Sequence, residues 1–498
     1  MATSITEKTE LEGGNVTHEE FGDFGHPTEY ELSEEDDKRI LRKIDRCLLP
    51  VMAFSYFFQF LDKTALGSTA ILGLPEDLNL TGSEYSWSSA IYYFGYLVAS
   101  YPISLILVRW KVAKSIVLSI FVWGGILMLT AACNNAAGLL ATRIFLGVAE
   151  AAIAPGLTII ISMWYKRKEQ PLRHAAWFLG NTCAGMFGSL LHYGIGHINS
   201  IAPWKAIFVI LGAATVLWSF CAFFLLPDTP ATARFLNKED RQKAIVRVKE
   251  NMTGIKNNHI KWNQVIEALL DVKTWLMFFF WICSNIPNGG VTTFSSIVIK
   301  GFGFSTFDTL LLGSVSYIVQ LILVLLSSTG SSYFKNSRTL WMAWNMAIAV
   351  TGAALVRYLP EDNKWGRFVG TVLSGGYAAN FPLMMSMMSG NVGGFTKKTT
   401  VNALIFISYC AGNIAGPQLF FEKEAPTYNS AFMALMICLA LGFGFALVMR
   451  YYLIWENHRR DKAMASDDDA AIPDAERDYL VNLMDKTDKE ITQFRYVY

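Results

Sequence analysis

AGLLATRIFLGVAEAAIAPGLTIIISM, residues 137–163, decides how this chain is read. It is a nearly unbroken apolar run, longer than the roughly 20 residues a helix needs to cross the hydrocarbon layer. Yet it holds Arg143, Glu150 and Pro155 in its interior. A proline is tolerated in a membrane helix because neighbouring groups re-satisfy the freed backbone. An ion is different: each ionisable side chain inside a span costs roughly 2.5 to 3.5 kcal/mol even on the lenient insertion scale, so those that remain ask for a reason.

Outward from this run the same pattern recurs. Apolar blocks lie at about 48–72, 84–108, 113–134, 137–163, 175–198 and 204–226, and again at about 272–298, 306–330, 338–359, 366–391, 398–421 and 428–455. The fold class that follows is an all-α membrane protein of twelve transmembrane helices in two six-helix halves. The expected organisation is an N-terminal segment (1–46), a first half (47–227), a linker (228–271), a second half (272–456) and a tail (457–498). Within the linker, Asn237 is placed to cap a helix over KEDRQKAIVRVKE.

Composition agrees. Hydrophobic residues make up 52% and charged residues 17% of the 498, whereas soluble domains carry about a quarter charged residues. A net charge of +1 gives no reason to expect a nucleic-acid partner. The seven cysteines sit in or beside apolar blocks without metal-type spacing and read as small buried hydrophobes. With no nucleophile triad, metal set or phosphate loop in view, an enzyme is not expected, nor any cofactor. The lipid bilayer is an expected partner, and the expected state is a monomer. The first 45 residues lack a signal-peptide core, so the first span is expected to act as its own membrane signal.

Basic residues of the short loops set orientation. They crowd the segment before span 1 (Lys38, Arg39, Arg42, Lys43, Arg46), the turn between spans 2 and 3 (Arg109, Lys111, Lys114), the turn between spans 4 and 5 (Lys166, Arg167, Lys168, Arg173), the linker and the tail. The first loop on the other side has only Glu76, Asp77 and Glu84. Both termini are therefore expected in the cytosol, and the plasma membrane is the expected location.

The two sets of blocks are related. Placing Ala154-Pro155 over Phe381-Pro382, an offset of 227 residues (382 − 155), also places Cys183-Ala184-Gly185 over Cys410-Ala411-Gly412. Spans 4 and 5 correspond to spans 10 and 11. Six-plus-six duplication is what two rocking halves require, with substrate near the midplane between them.

Four intramembrane ions stand out: Asp62 and Lys63 in span 1, Arg143 and Glu150 in span 4. Together they cost on the order of 10 kcal/mol, tolerable if they gather round a wet cavity or pair with one another. Arg143 and Glu150 are two turns apart on one face, about 10 Å along the axis, so each is expected to look for a partner on span 1. The corresponding second-half positions are Gly370 and Tyr377, and that half offers neutral groups instead, among them Asn285, Asn288, Gln320, Asn380, Asn402 and Asn413. Charge in one half faces neutral hydrogen bonding in the other. A cycle follows in which a proton on Asp62 or Glu150 frees Lys63 or Arg143 to hold an anion. Importing that anion against an inside-negative potential costs about 2.3 kcal/mol per 100 mV, which a co-transported proton cancels. Asn181, Tyr92 and Tyr93 are further candidates for the cavity wall, and His192 and His197 for pH sensing near the outer end of span 5.

At these residues the chain resembles the anion:cation symporter group of the major facilitator superfamily, specifically its fungal allantoate permease-like family. The matching pieces are FLDKTALGSTA (60–70), EYSWSSAIYYFGYLVASYPISLIL (84–107), RIFLGVAEAAIAPG (143–156) and PDTPATARFLNKEDR (227–241). The resemblance implies proton-coupled uptake of small organic anions, a class that includes allantoate, vitamin acids and small peptides or amino acids. It also implies that Asp62 and Glu150 are protonation sites, that Arg143 is substrate-linked, and that Lys63 stands where bacterial relatives often have arginine. The turn sequence LVRWKVAKS (107–115) departs from the superfamily's usual acidic, glycine-rich gate. An exporter on the same scaffold and a non-transporting nutrient receptor are the alternatives; the long cytosolic domain expected of a receptor is missing from the pattern.

Overall fold

The structure, a computed structural model, describes residues 33–166, 169–198, 200–252, 261–464, 486–491 and 494–498. Arg167, Lys168 and the first 32 residues lie outside the described residues.

Helix Glu34–Thr69 carries span 1, and its first turns precede the apolar block. That extension is helical because Ser33 accepts from the Asp36 amide at 3.2 Å and Glu34, Glu35, Asp36 and Asp37 complement the helix N-terminus. Span 2 is Glu84–Arg109, span 3 Val112–Thr130, span 5 Gln170–Ile195 and span 6 Pro203–Leu225. In the second half, span 7 is Val272–Gly301, span 8 Thr306–Tyr333, span 9 Arg338–Tyr358, span 11 Phe395–Ala415 and span 12 Asn429–Met464. The linker helix Lys238–Met252 is capped as expected, with the Asp240 amide donating to Asn237 Oδ1 at 2.6 Å.

Spans 4 and 10 are both broken, and at corresponding places. Span 4 comprises Ala136–Glu150 and Ile153–Trp164; span 10 comprises Lys364–Ser374, a 3₁₀ stretch Gly375–Ala379 and Asn380–Asn391. The cause is the repeated proline. Pro155 has no N–H for the Ala151 carbonyl and Pro382 none for Ala378, and each ring crowds the turn before it. The break in span 4 leaves Glu150 as the last residue of its first segment.

Among the described residues, eight of the twelve spans are long and apolar enough to cross a membrane by length and composition alone. The other four, spans 5, 7, 10 and 11, each contribute residues to the wall of the space between the halves, as do spans 1, 2 and 8. Within each half the packing partners are spans 1 and 5, 2 and 4, 3 and 6, then 7 and 11, 9 and 12; the halves meet through spans 5 and 8, 2 and 11, and 1 and 7. We call the side that carries the linker helix, Ser33 and the described C-terminal residues the basic face, and the other the opposite face.

Candidate functional site

Small residues press span 2 onto span 4. A Cβ at Gly147 would overlap the Tyr92 carbonyl oxygen, and one at Gly95 would overlap the Ile144 carbonyl, so glycine alone permits this approach. The approach aims Tyr92 at span 4. Its hydroxyl donates to Glu150 Oε2 at 2.6 Å, its ring lies 5.3 Å from the Arg143 guanidinium, and one turn away the Ser88 carbonyl accepts from Arg143 Nε at 3.0 Å.

A cavity of about 120 Å³ lies between the halves. Its first-half wall includes Tyr56, Gln59, Lys63, Tyr92, Tyr93 and Asn181, and its second-half wall Asn285, Asn288, Gln320, Tyr377 and Tyr409. Among the described residues, Lys63 is the one charged side chain of that wall. Its Nζ donates to the Tyr409 hydroxyl at 3.3 Å and sits 5.0 Å from the Tyr93 ring centre and 5.8 Å from that of Tyr409. Facing it, Asn288 donates to Asn413 (2.7 Å), Asn413 to Asn285 (3.2 Å) and Asn285 to the Trp281 carbonyl (2.7 Å). This chain fixes the amides of spans 7 and 11 in one orientation.

A second space of about 10 Å³ lies next to the first, lined by Lys63, Arg143, Ser89, Gly67 and Thr293, large enough for about one water. Arg143 is buried, with Nη1 lacking a partner. Past this space, toward the opposite face, the halves are sewn together. Tyr85 donates to the Thr293 carbonyl at 3.0 Å, the Ser89 and Thr293 hydroxyls pair at 2.8 Å, and Lys300 reaches the Ile71 carbonyl at 3.3 Å. These contacts join the two halves on that side.

The four intramembrane ions do not meet as expected. Among the described residues, no ion pair joins any two of them. Lys63 lines the cavity and Arg143 the small space beyond it, while Glu150 stands one side chain back, behind Tyr92, with Oε1 unpartnered. Asp62 does not reach the shared chamber. Its Oδ2 accepts from Trp123 Nε1 at 2.8 Å and Thr215 Oγ1 at 3.0 Å, deep among spans 1, 3 and 6, and Oδ1 has no partner. The reason is helical geometry: consecutive residues are turned by about 100°, so Lys63 facing the cavity sends Asp62 into the interior of its own half. Asn181, Tyr92, Tyr93 and Asn285 are all in the cavity wall. His192 is buried inside the first half, paired with Ser68 at 2.8 Å, and His197 stacks on Phe307.

Tyr409 and Thr182 were not singled out by sequence, yet both line the cavity. The signal was present: each immediately precedes its copy of the repeated Cys-Ala-Gly, so the duplication itself marks the two positions.

A family model described as Major Facilitator Superfamily matches residues 52–417. The allantoate permease of Saccharomyces cerevisiae is 34% identical, over 94% of this chain and 88% of its own length. A thiamine pathway transporter of the same organism is 28% identical over 100% of this chain and 94% of its own. Among solved structures, a bacterial homologue of the human lysosomal transporter Spinster, in an inward-facing and occupied conformation, superposes with a TM-score of 0.61 at 14% identity, covering 81% of this chain and 96% of that one.

Proposed function

The chain belongs to the major facilitator superfamily of membrane transporters, and from that premise we propose that it takes up a small organic anion together with protons, by alternating access. The observation that carries the reading is the position of Lys63. Among the described residues it is the single cation of a cavity whose polar wall is mainly tyrosines and amides, and a buried carboxylate, Glu150, stands behind the neighbouring Tyr92. A carboxylate substrate finds there one charge to neutralise it and fixed amides to orient its polar body.

The cycle starts with a proton on Glu150. Neutral Glu150 leaves the positive field of Lys63 uncompensated across Tyr92, so that Lys63 holds the anion, with Arg143 in the small space beyond as a second cation along its route. Loss of the proton restores a negative charge behind Tyr92, which weakens the hold of Lys63 and favours release of the anion. Asp62, the second carboxylate of the half, is the reserve proton site, shielded from the substrate. Coupling is favoured because the proton cancels the work of moving the anion against the membrane potential. We place the basic face in the cytosol and the protein in the plasma membrane, because loop lysines and arginines are retained on the cytosolic side.

The test is radiolabelled uptake by cells expressing the protein, with and without an uncoupler, over a panel of carboxylates. Allantoate belongs on the panel because one relative is an allantoate permease. Uptake of a carboxylate that collapses with the uncoupler is expected. Uptake indifferent to the proton gradient, or outward movement only, would overturn the reading.

A further inference from the structure

The chain that follows the sixth span of each half returns to its own basic face and plugs it with a buried ion. In the first half the plug is Arg247 of the linker helix. Its Nε donates to Asp37 at 2.7 Å, at the start of span 1, its Nη2 to Glu169, just before span 5, and its Nη1 to the carbonyl of Trp164, the last residue of span 4, at 3.4 Å. In the second half the plug is Asp488 of the tail. It accepts from Lys273 at the start of span 7, from Lys397 at the start of span 11 at 2.8 Å, and from the Gly393 amide at 3.0 Å. Asn391, the last residue of span 10, exchanges two bonds with Val497 at 2.8 and 2.7 Å.

The repeat makes these the same device. Adding 227 to Trp164 gives Asn391, and adding it to Glu169 gives 396, next to Lys397. The sign is reversed: a cation between two acids in the first half, an acid between two lysines in the second. Asp271 completes the second set, with Lys273 at 2.6 Å and Lys397 at 2.9 Å, and Arg460 of span 12 holds the strap's backbone through the Asp488 and Ile491 carbonyls at 2.9 and 3.1 Å.

We propose that residues 486–491 and 494–498 form the keystone strap of the second half, the charge-reversed counterpart of the linker helix, and that each strap locks the ends of spans in its own half so that the half moves as one body. Reversal gives fidelity. Asp488 seated between Asp37 and Glu169, or Arg247 between Lys273 and Lys397, would bury like charges together, a penalty that keeps each strap on its own half.

Hydrogen exchange of the purified full-length protein tests this without any substrate, so it stands apart from the transport reading. In the unaltered protein the tail amides are expected to exchange far more slowly than free chain. Asp488→Lys is expected to cost the tail and residues 391–400 about tenfold or more in protection, the size set by losing a buried charge-assisted bond, and to leave 238–252 unchanged. Arg247→Glu is expected to do the reverse. Asp488→Asn, which keeps an acceptor for Gly393, is the milder variant should the first not fold, and is expected to fall between. A tail exchanging at free-chain rates in the unaltered protein, protection of 391–400 untouched by both Asp488 variants, or a single Asp488 change that loosens both halves alike would overturn the proposal.

Discussion

The Tyr92 hydroxyl donates to Glu150 Oε2 at 2.6 Å while Oε1 of the same carboxylate has no partner. One oxygen is fixed and the other is free to take a proton. Glu150→Gln keeps an acceptor for Tyr92 and the size of the side chain, so the variant is expected at the membrane in normal amount. Its uptake is expected to lose dependence on the proton gradient, read as equal rates with and without uncoupler. Unchanged gradient dependence would remove Glu150 from the coupling role.

Lys63 makes a different prediction. Its ammonium is held by one hydroxyl and two aromatic faces, leaving donor capacity pointed into the cavity. A charge-assisted bond to substrate is worth about 1.5 to 3 kcal/mol, so Lys63→Gln is expected to raise the half-saturation concentration for a carboxylate by about 10- to 100-fold. Lys63→Arg keeps the charge and is expected to lose far less. Equal losses in the two variants would mean that shape, not charge, is what the position supplies.

Much of this arrangement was legible beforehand, for identifiable reasons. Twelve apolar blocks suffice for the helices, because chain length against bilayer thickness acts locally; the proline repeated at one offset marks spans 4 and 10 as counterparts, while the breaks beside it emerge only in the structure. Part of the cavity's polar wall was likewise visible: of the second-half amides, Asn285, Asn288 and Gln320 line it, whereas Asn380 is taken up by Asn345 inside its own half, Asn413 by the amides of span 7, and Asn402 is exposed. What sequence did not reveal was the direction of Asp62. Two adjacent ions read as one pair, yet a turn of about 100° per residue sends them to different environments, and the donors that receive Asp62, Trp123 and Thr215, lie on spans distant in sequence. The tail was missed for a similar reason: Asp488 looks like any charged tail residue until Lys273 and Lys397, 215 and 91 positions earlier, are seen converging on it.

Asp62 can be separated from the cavity residues by stability. Trp123 and Thr215 both donate to it inside the first half, and Asp62→Asn retains an acceptor for them. Asp62→Leu leaves two buried donors unpaired, at about 1 to 3 kcal/mol each. The leucine variant is therefore expected to show a clearly lowered melting temperature in detergent and the asparagine variant a small change. Equal melting of both would mean that the buried bonds contribute nothing.

The seam between spans 2 and 4 predicts a steric effect. A methyl at Gly147 meets the Tyr92 carbonyl oxygen, whereas one at Gly125 meets nothing within 4 Å. Gly147→Ala is expected to cost about 1 to 3 kcal/mol through forced separation of the helices and to reduce transport by displacing Tyr92 from Glu150. Gly125→Ala serves as the control and is expected to be neutral in both assays.

The pH response of the first-half strap follows from Asp36, on the extension that precedes the membrane. The hydrogen bond from Lys243, reinforced by Arg39, holds its carboxyl down at about 2, against an ordinary 3.8. For the neighbouring Asp37, burial pushes the carboxyl up, but Lys166 and Arg247 more than reverse it and leave it lowered. A carboxylate depressed in the folded state contributes its full stabilisation above the unfolded value and loses it as pH falls through the folded one. The window therefore runs from about 4 down to about 2. Protection of linker-helix amides, corrected for intrinsic exchange rates, is expected to be equal at pH 7 and pH 5 and reduced at pH 3. Loosening already complete at pH 5 would show that groups other than these aspartates hold the linker helix in place.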